Sequence, residues 1–590
     1  MSPVTSPDPP GARGAVLSSN ALRVLERRYL LRDSRGRLIE EPGQLFRRVA
    51  RTVAAAEGRR RAPQWAERFE TAMSSLEFLP NSPCLMNAGT PLGQLAACFV
   101  LPVADDLRAI FDAVRDMALI HQSGGGVGFD FTPLRPRGDL VQSTHGVATG
   151  PVSFMGVFDA AAEAIKQGGR RRGAIMGVLD ARHPDIPEFV EAKLDGTRLR
   201  NFNVSVAIPD IVMRALERGG DVHLIHPRSG SRIRSLAARE LFNSITHAAW
   251  TIGDPGLLFL GAIARGNPTP ALGAITTTNP CGEQPLLPHE TCTLGSIAVQ
   301  RFVRGRGFDE DRLRETIRLG VRFLDDVVTV TRHPLPAVAE ATLRTRKIGL
   351  GVMGFADALM QMGVPYDSPA ALDLAGDLAR FLSAEARRAS EDLARERGPY
   401  PAFRRSRDAA RGRRPLRNAT RTTVAPTGTI ALVADCSAGI EPVFALVHRR
   451  LAFSGEEVLD EVHPMLAPAL ERAGLDPATW IERIGKAGSL RALGEPVPSS
   501  LRQLFVTALE VPPAQHVRVQ AAFQKHIDSG VSKTVNLPRE ATPAQVAETY
   551  QLAWELGCKG ITVYRYGSRA GQILCLPEDA EPGSARECAG

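Results

Sequence analysis

An amide, a thiol and a carboxyl stand at alternate positions in Asn279-Pro280-Cys281-Gly282-Glu283, inside the stretch TNPCGEQP. In an extended segment side chains alternate faces, so Asn279, Cys281 and Glu283 would all point one way. One pocket would then hold a hydrogen-bonding amide, a sulfur and a carboxyl group able to move protons. Cys292 follows in HETCTLGS, and Cys98 stands earlier at the end of QLAACFVLPV's strand-like run. A lone cysteine is usually a small buried hydrophobe. Three cysteines, one of them flanked by Asn and Glu, favour covalent or radical thiol chemistry with Glu283 as the proton-moving partner.

The chain that must position these groups has 590 residues, 44% of them hydrophobic, which is ample for a large core and oversized for a binding module. Its net charge of +8 is modest and unevenly placed, with Arg170, Arg171 and Arg172 adjacent and a second cluster at Arg411, Arg413 and Arg414. Anionic ligands such as nucleotides suit such clusters, and so does a solvated surface, which is the simpler reading of the second one. Eight cysteines are too few to build a disulfide scaffold of this size, and none occurs as C-x-x-C, so no metal site is expected. No apolar run approaches the ~20 residues that span a bilayer. The N-terminal MSPVTSPDPPGARGAV lacks the charged start and apolar middle of a signal peptide, which predicts a cytoplasmic protein.

Residues 1–18 are rich in Pro, Ser and Gly and are expected to be disordered. Residues 19–77 carry helical patterns such as ALRVLERRYL and QLFRRVARTVAAAE. From 78 to 568 short apolar runs (ACFVLPV, FNVSVAI, GITVYRY) alternate with amphipathic patterns at 105–120, 151–166, 236–251, 309–330, 368–396 and 543–556. That alternation predicts an α/β fold with many parallel strands. Residues 569–590 lose periodicity and read as a flexible tail holding Cys575 and Cys588.

LPNSPCLMNAG, QLAACFVLPV, HQSGGGVGFDF, NPCGE, TCTLGSI, VAPTGTIALVADCSAGIEPVFAL and KGITVYRYGSR occur in family order, and together they resemble the catalytic chain of ribonucleotide reductases from about residue 20 to residue 570. The resemblance implies a ten-stranded α/β barrel of two parallel five-stranded halves, with the radical cysteine at the tip of a finger loop inside it, where Pro280 and Gly282 shape a turn that holds three groups toward one ribose without regular pairing. On that reading Cys281 is the thiyl that takes hydrogen from C3′ of a ribonucleotide, and Glu283 removes the 3′-OH proton so that the 2′-OH leaves more easily as water. Asn279 hydrogen-bonds the substrate radical, while Cys98 and Cys292 supply two reducing equivalents and end as a disulfide. The APTGTI turn follows a strand-like run and precedes a helix-like or extended one, and the resemblance assigns Pro426, Thr427, Gly428, Thr429 and Ile430 to the substrate phosphates. Ser82, Ala97 and Gly126, the last in the GGGVG turn, match other substrate contacts. Asp105 and the KQGGRRRGAIMG loop with Arg170, Arg171 and Arg172 match the effector region, although Asp106 stands where many relatives carry Ser.

Relatives differ in how they make the thiyl. Chains served by a separate metal subunit carry two adjacent tyrosines near the end of the barrel, whereas this sequence reads Val563-Tyr564-Arg565-Tyr566. The glycyl-radical relatives lack the Glu partner, which is present here, and YGSRAG matches their glycine motif poorly. The adenosylcobalamin-dependent class remains, binding its cofactor base-on because no D-x-H-x-x-G motif occurs. The implied partners are a ribonucleotide, with the diphosphate expected over the triphosphate, deoxyribonucleotide or ATP effectors, a thioredoxin-like reductant and a second copy of the chain. No separate radical-generating subunit, membrane or direct nucleic-acid contact is expected, and no ATP-cone precedes the helical region. In the tail Cys575 and Cys588 act together, or Cys588 works with an external reductant and Cys575 is a surface accident. Cys84 and Cys436 read as packing residues. The competing readings are a chain that needs a metal subunit and a catalytically silent nucleotide-binding regulator.

Overall fold

The computed structural model describes residues 16–141, 145–166, 173–452, 457–569 and 574–575. The strand β1 (Phe78–Pro80) is followed by β2 (Cys98–Leu101), β3 (Gly126–Asp130), β4 (Ile175–Asp180), β5 (Phe202–Ile208) and β6 (Gly256–Phe259). Strands β2 to β6 pair in that order, all parallel. A second set comprises β7 (Thr291–Ala298), β8 (Ile348–Met353), β9 (Thr534–Leu537) and β10 (Gly560–Arg565), with β7 parallel to β8 and β9 parallel to β10. Between them runs a segment joined by two parallel bridges, Leu350 to Thr422 and Val424 to Val531. Two antiparallel seams, β2 against β7 and β6 against β10, close the halves into the ten-stranded barrel that the resemblance implies. β1 pairs antiparallel with β7 beyond the first seam.

Parallel strands covered on both faces are continuous apolar runs, and FNVSVAI is buried at every position of β5 except Asn203. The amphipathic patterns become the helices Leu107–Gln122, Pro151–Lys166, Ala238–Ile252, Glu310–Val330, Pro369–Arg397 and Pro543–Glu555, each end within two residues of its expected place. Side-chain caps fix several starts: Asp106, Asp309, Ser368 and Thr542 each accept a backbone N–H of the first turn. Serine is an equally good cap, which explains how Asp106 can replace it. The GGGVG stretch turns only at its first glycine, Gly124 (φ +85°), and not at Gly126 as expected. Gly126 opens β3 and pairs with Cys98.

Helices Ser19–Val24, Pro42–Ala54 and Gly58–Ser74 pack outside the barrel. Phe69 and Phe78 both meet Phe323 edge-on, at 5.0 and 5.2 Å between ring centres. The buried Glu57 carboxylate is held by Arg322 at 2.5 Å and by Arg397, which ties these helices to Glu310–Val330 and Pro369–Arg397. Among the described residues no helix is long and apolar enough to cross a membrane.

Candidate active site

The opening motif forms the tip of a hairpin. Thr277–Thr278 pairs antiparallel with Pro285–Leu286, and between them the Gly282 N–H donates to Asn279 O at 3.0 Å with Gly282 at φ +85°. A turn of this kind breaks the strict alternation of an extended segment. Asn279 and Glu283 are buried, at 2% exposure each, and Cys281 is exposed. The hairpin enters the barrel through space left by glycine. A Cβ on Gly128 would lie 1.8 Å from Thr278 O, and one on Gly126 would lie 2.9 Å from Pro280 Cγ. Both halves then hold the tip: the Asn203 amide donates to Pro280 O at 2.8 Å, and the Thr423 hydroxyl and Gly530 N–H donate to Glu283 O at 3.0 and 2.8 Å.

Cys98 and Cys292 are direct cross-strand partners at the β2/β7 seam. Directly opposed residues of an antiparallel pair have Cα atoms about 4.5–5.5 Å apart, within the span a disulfide needs. Both thiols are buried and reduced. The Asn279 amide donates to Cys98 Sγ at 3.1 Å, and the Cys98 thiol points at Glu283 Oε1 across 3.7 Å. Thiol, amide and carboxyl thus form one cluster. Burial, with Glu283 and Glu290 nearby and Lys347 opposing them, raises the Cys292 pKa well above the ordinary thiol value, so the group is a neutral thiol near pH 7. Behind it Lys347 and Glu290 form a fully buried ion pair at 2.5 Å, and the Thr345 hydroxyl and Leu287 N–H also donate to Glu290.

Cys281 faces a cavity of about 740 Å³, within the range of ligand pockets. Its lining includes the small neutral residues Asn203, Ser205, Gly256 and Thr562, charged ones such as Asp254, Lys533 and Arg569, and also Pro426 and Gly428. Between the last two, Thr427 adopts a left-handed conformation (φ 54°), its hydroxyl accepts the Gly439 N–H at 2.7 Å, and the short helix Gly428–Val433 follows. Ser82 Oγ lies 2.8 Å from the Tyr29 hydroxyl, and Arg28 Nη1 donates to Thr429 Oγ1 at 3.2 Å. Ala97 adjoins Cys98, and its carbonyl accepts the Gly126 N–H at 2.8 Å. Arg28, Tyr29, Asn203, Thr423 and Gly530 were not singled out from sequence. They come from remote segments and carry no local motif.

Asp105 lies away from this cavity, paired with Arg135 at 2.9 Å and with Arg228 at 3.7 Å. Arg170, Arg171, Arg172 and Cys588 fall outside the described residues. Leu574–Cys575, within the stretch expected to be a flexible tail, pairs as a two-residue strand with Arg449 and Arg450. Burial pushes the Cys84 thiol up to about 12 against the pull of Arg48. Cys436 lines the cavity, and burial followed by Asp357 raises its pKa well above the usual range.

A closed two-half barrel, threaded by a cysteine-bearing hairpin and carrying two opposed thiols at its seam, defines an enzyme architecture with thiols at its centre. Residues 96–564 match the family model described as ribonucleotide reductase, barrel domain, and residues 15–93 match its all-alpha domain, so the chain belongs to the ribonucleotide reductase family. It is 50% identical over 562 residues to a vitamin B12-dependent ribonucleoside-diphosphate reductase of Mycobacterium tuberculosis, covering 95% of this chain and 80% of that one. A protein of the same description from Thermoplasma acidophilum is 43% identical over 618 residues, with the same coverage. The fold is shared with the alpha subunit of a class Id ribonucleotide reductase from Actinobacillus ureae, at a TM-score of 0.77 and 22% identity over 93% of this chain and 97% of that one.

Proposed function

We propose that this chain reduces ribonucleoside diphosphates to 2′-deoxyribonucleoside diphosphates with adenosylcobalamin as its radical source and no separate radical-generating subunit. The observation that carries this reading is the arrangement of an exposed Cys281 on the finger hairpin beside the buried, opposed Cys98 and Cys292, in a chain half identical to a relative named for B12 dependence. Val563-Tyr564 in place of an adjacent tyrosine pair supports the same choice.

The residues around Cys281 fit the cofactor. A ring edged with amides suits the small polar Asn203, Ser205 and Thr562 that line the cavity together with Cys281. When bound, adenosylcobalamin supplies a carbon-centred radical at neutral pH without a metal subunit. Cys281 gives up its thiol hydrogen and, as a thiyl, takes the hydrogen atom from C3′. Glu283 accepts the 3′-OH proton, and Asn279 hydrogen-bonds the substrate radical. The 2′-OH leaves as water while Cys98 and Cys292 give two electrons and two protons and become a disulfide. Cys281 finally returns its hydrogen atom to C3′. The 3.7 Å approach of the Cys98 thiol to Glu283 supports this sequence, because a proton can pass between them without solvent.

Pro426, Thr427, Gly428, Thr429 and Ile430 hold the substrate phosphates on this reading, with Ser82, Ala97 and Gly126 as further contacts. Deoxyribonucleotides or ATP act as effectors near Asp105 and Arg170–Arg172, a thioredoxin-like protein is the final reductant, and the chain works as a homodimer in the cytoplasm. The test is direct. The purified chain, given a small dithiol, should reduce ribonucleoside diphosphates when adenosylcobalamin is added and not before, with no second protein present. Activity that requires an iron or manganese protein instead would overturn the proposal.

A further inference from the structure

From Ala425 to Ala434 the phosphate turn and its helix carry no charged side chain. The helix Gly428–Val433 has only six residues, so its dipole is a small counterweight to a diphosphate. A diphosphate at this turn therefore calls for a cation beside it.

The N-terminal helical region brings one. Leu25–Tyr29 is a single π-helical turn, closed by the Leu30 N–H donating to Leu25 O at 2.9 Å. Such turns are rare and recur at functional sites, because the extra residue rotates side chains off the regular helical faces. This one sets two consecutive side chains on proposed substrate contacts: Arg28 Nη1 on Thr429 Oγ1 at 3.2 Å, and the hydroxyl of fully buried Tyr29 on Ser82 Oγ at 2.8 Å. The start of the same segment is fixed at the other end of the short helix, where the Ser18 hydroxyl and N–H both donate to Asp435, at 2.5 and 3.3 Å. Segment 18–29 is thus clamped along the helix Gly428–Val433. A guanidinium carries five donors in a planar fork, and holding Thr429 together with a phosphate oxygen is within its geometry.

We propose that Arg28 is a substrate-binding residue, the cationic contact of the substrate's terminal phosphate, and that it makes the site prefer a nucleoside diphosphate to a monophosphate or nucleoside. Tyr29 positions Ser82 beside it. The proposal rests on the reading that residues 426–430 hold the phosphates.

The experiment compares wild type with Arg28→Gln and Arg28→Lys by calorimetric binding of a ribonucleoside, its 5′-monophosphate and its 5′-diphosphate, and by steady-state turnover of the diphosphate with a small dithiol. Arg28→Gln should weaken diphosphate binding by about tenfold or more, the scale of a hydrogen bond to a charged group, and leave nucleoside binding unchanged. KM should rise in parallel with kcat within about threefold, and Arg28→Lys should recover part of the loss because it restores the charge. The ratio of diphosphate to nucleoside affinity is read only from folded protein, so a lower melting temperature in either variant leaves it interpretable. An unchanged ratio in Arg28→Gln, or equal losses for all three ligands, would overturn the role of Arg28. A wild-type chain that binds no ribonucleotide at all would overturn the enzyme reading beneath it, which is a separate and distinguishable result.

Discussion

Cys281 and the Cys98–Cys292 pair divide the proposed chemistry by exposure and by neighbours. Cys281 opens on the cavity, where a radical source and a ribose can both meet it, while the other two are enclosed with Glu283 and Asn279. A hydroxyl is a far poorer hydrogen-atom donor than a thiol, so Cys281→Ser should end deoxyribonucleotide formation, with a loss of roughly 10⁴-fold or more as for deletion of other essential catalytic groups. Cys98→Ser or Cys292→Ser should still allow substrate-dependent radical formation, seen by electron paramagnetic resonance, and should fail at the reduction step because one of the two thiols is missing. Identical behaviour of all three variants in both measurements would refute this division of roles.

At the scale of elements the barrel exists to admit the finger hairpin, and glycine on β3 is what lets it in. With its Cβ only 1.8 Å from Thr278 O, Gly128→Ala must push the hairpin away or distort β3. Overpacking of this kind costs about 1–3 kcal/mol of stability. A displacement of about 1 Å at a reacting group costs about 10²-fold in rate. Turnover should therefore fall by roughly that factor while the variant still melts cooperatively, and a fully active Gly128→Ala would show that the hairpin does not sit where it is described. The same contact explains what the sequence could and could not disclose. NPCGE was legible because its chemistry lies in local residue types, and the six long helices were legible because apolar periodicity, and in four of them a side-chain cap, is local too. GGGVG looked like a turn because nothing nearby reveals that a carbonyl from residue 278 will press on residue 128. The turn that Pro280 and Gly282 shape in Asn279–Glu283 was legible in its local residues, but what holds it was not. It is stabilised by the Thr277–Thr278 pairing and by donors from Asn203, Thr423 and Gly530, all of them outside the motif. Arg28 reaches Thr429 across some 400 residues, and Tyr29 reaches Ser82, by way of a π turn that no periodicity predicts.

At the scale of the whole molecule the enclosure that protects a radical also shuts out a protein reductant. Cys98 and Cys292 are buried at a seam of the barrel, so a disulfide formed there is inaccessible to a folded protein and open only to a reductant small enough to enter. A carrier cysteine on the chain's own tail resolves this conflict. The hairpin Val447–Ala452 and Glu457–Val462 contributes His448, Arg450 and Glu461 to the cavity lining, and the backbone of Leu574–Cys575 pairs on its outer strand at Arg449–Arg450. Cys575 thus pairs next to Arg450 of the cavity lining, and Cys588 follows it by a further thirteen residues, enough chain to span many ångströms. Cys588→Ser should lower thioredoxin-driven turnover by about tenfold or more, since it removes the high local concentration of a tethered thiol, and should leave turnover with a small dithiol within about twofold of wild type. If Cys575 is its partner, Cys575→Ser should show the same selective loss, and acid quenching during turnover should trap a Cys575–Cys588 disulfide. Equal thioredoxin-driven rates for wild type and both variants would remove the tail from the reducing route, leaving direct entry of a small reductant as the only path the enclosed cysteine pair allows.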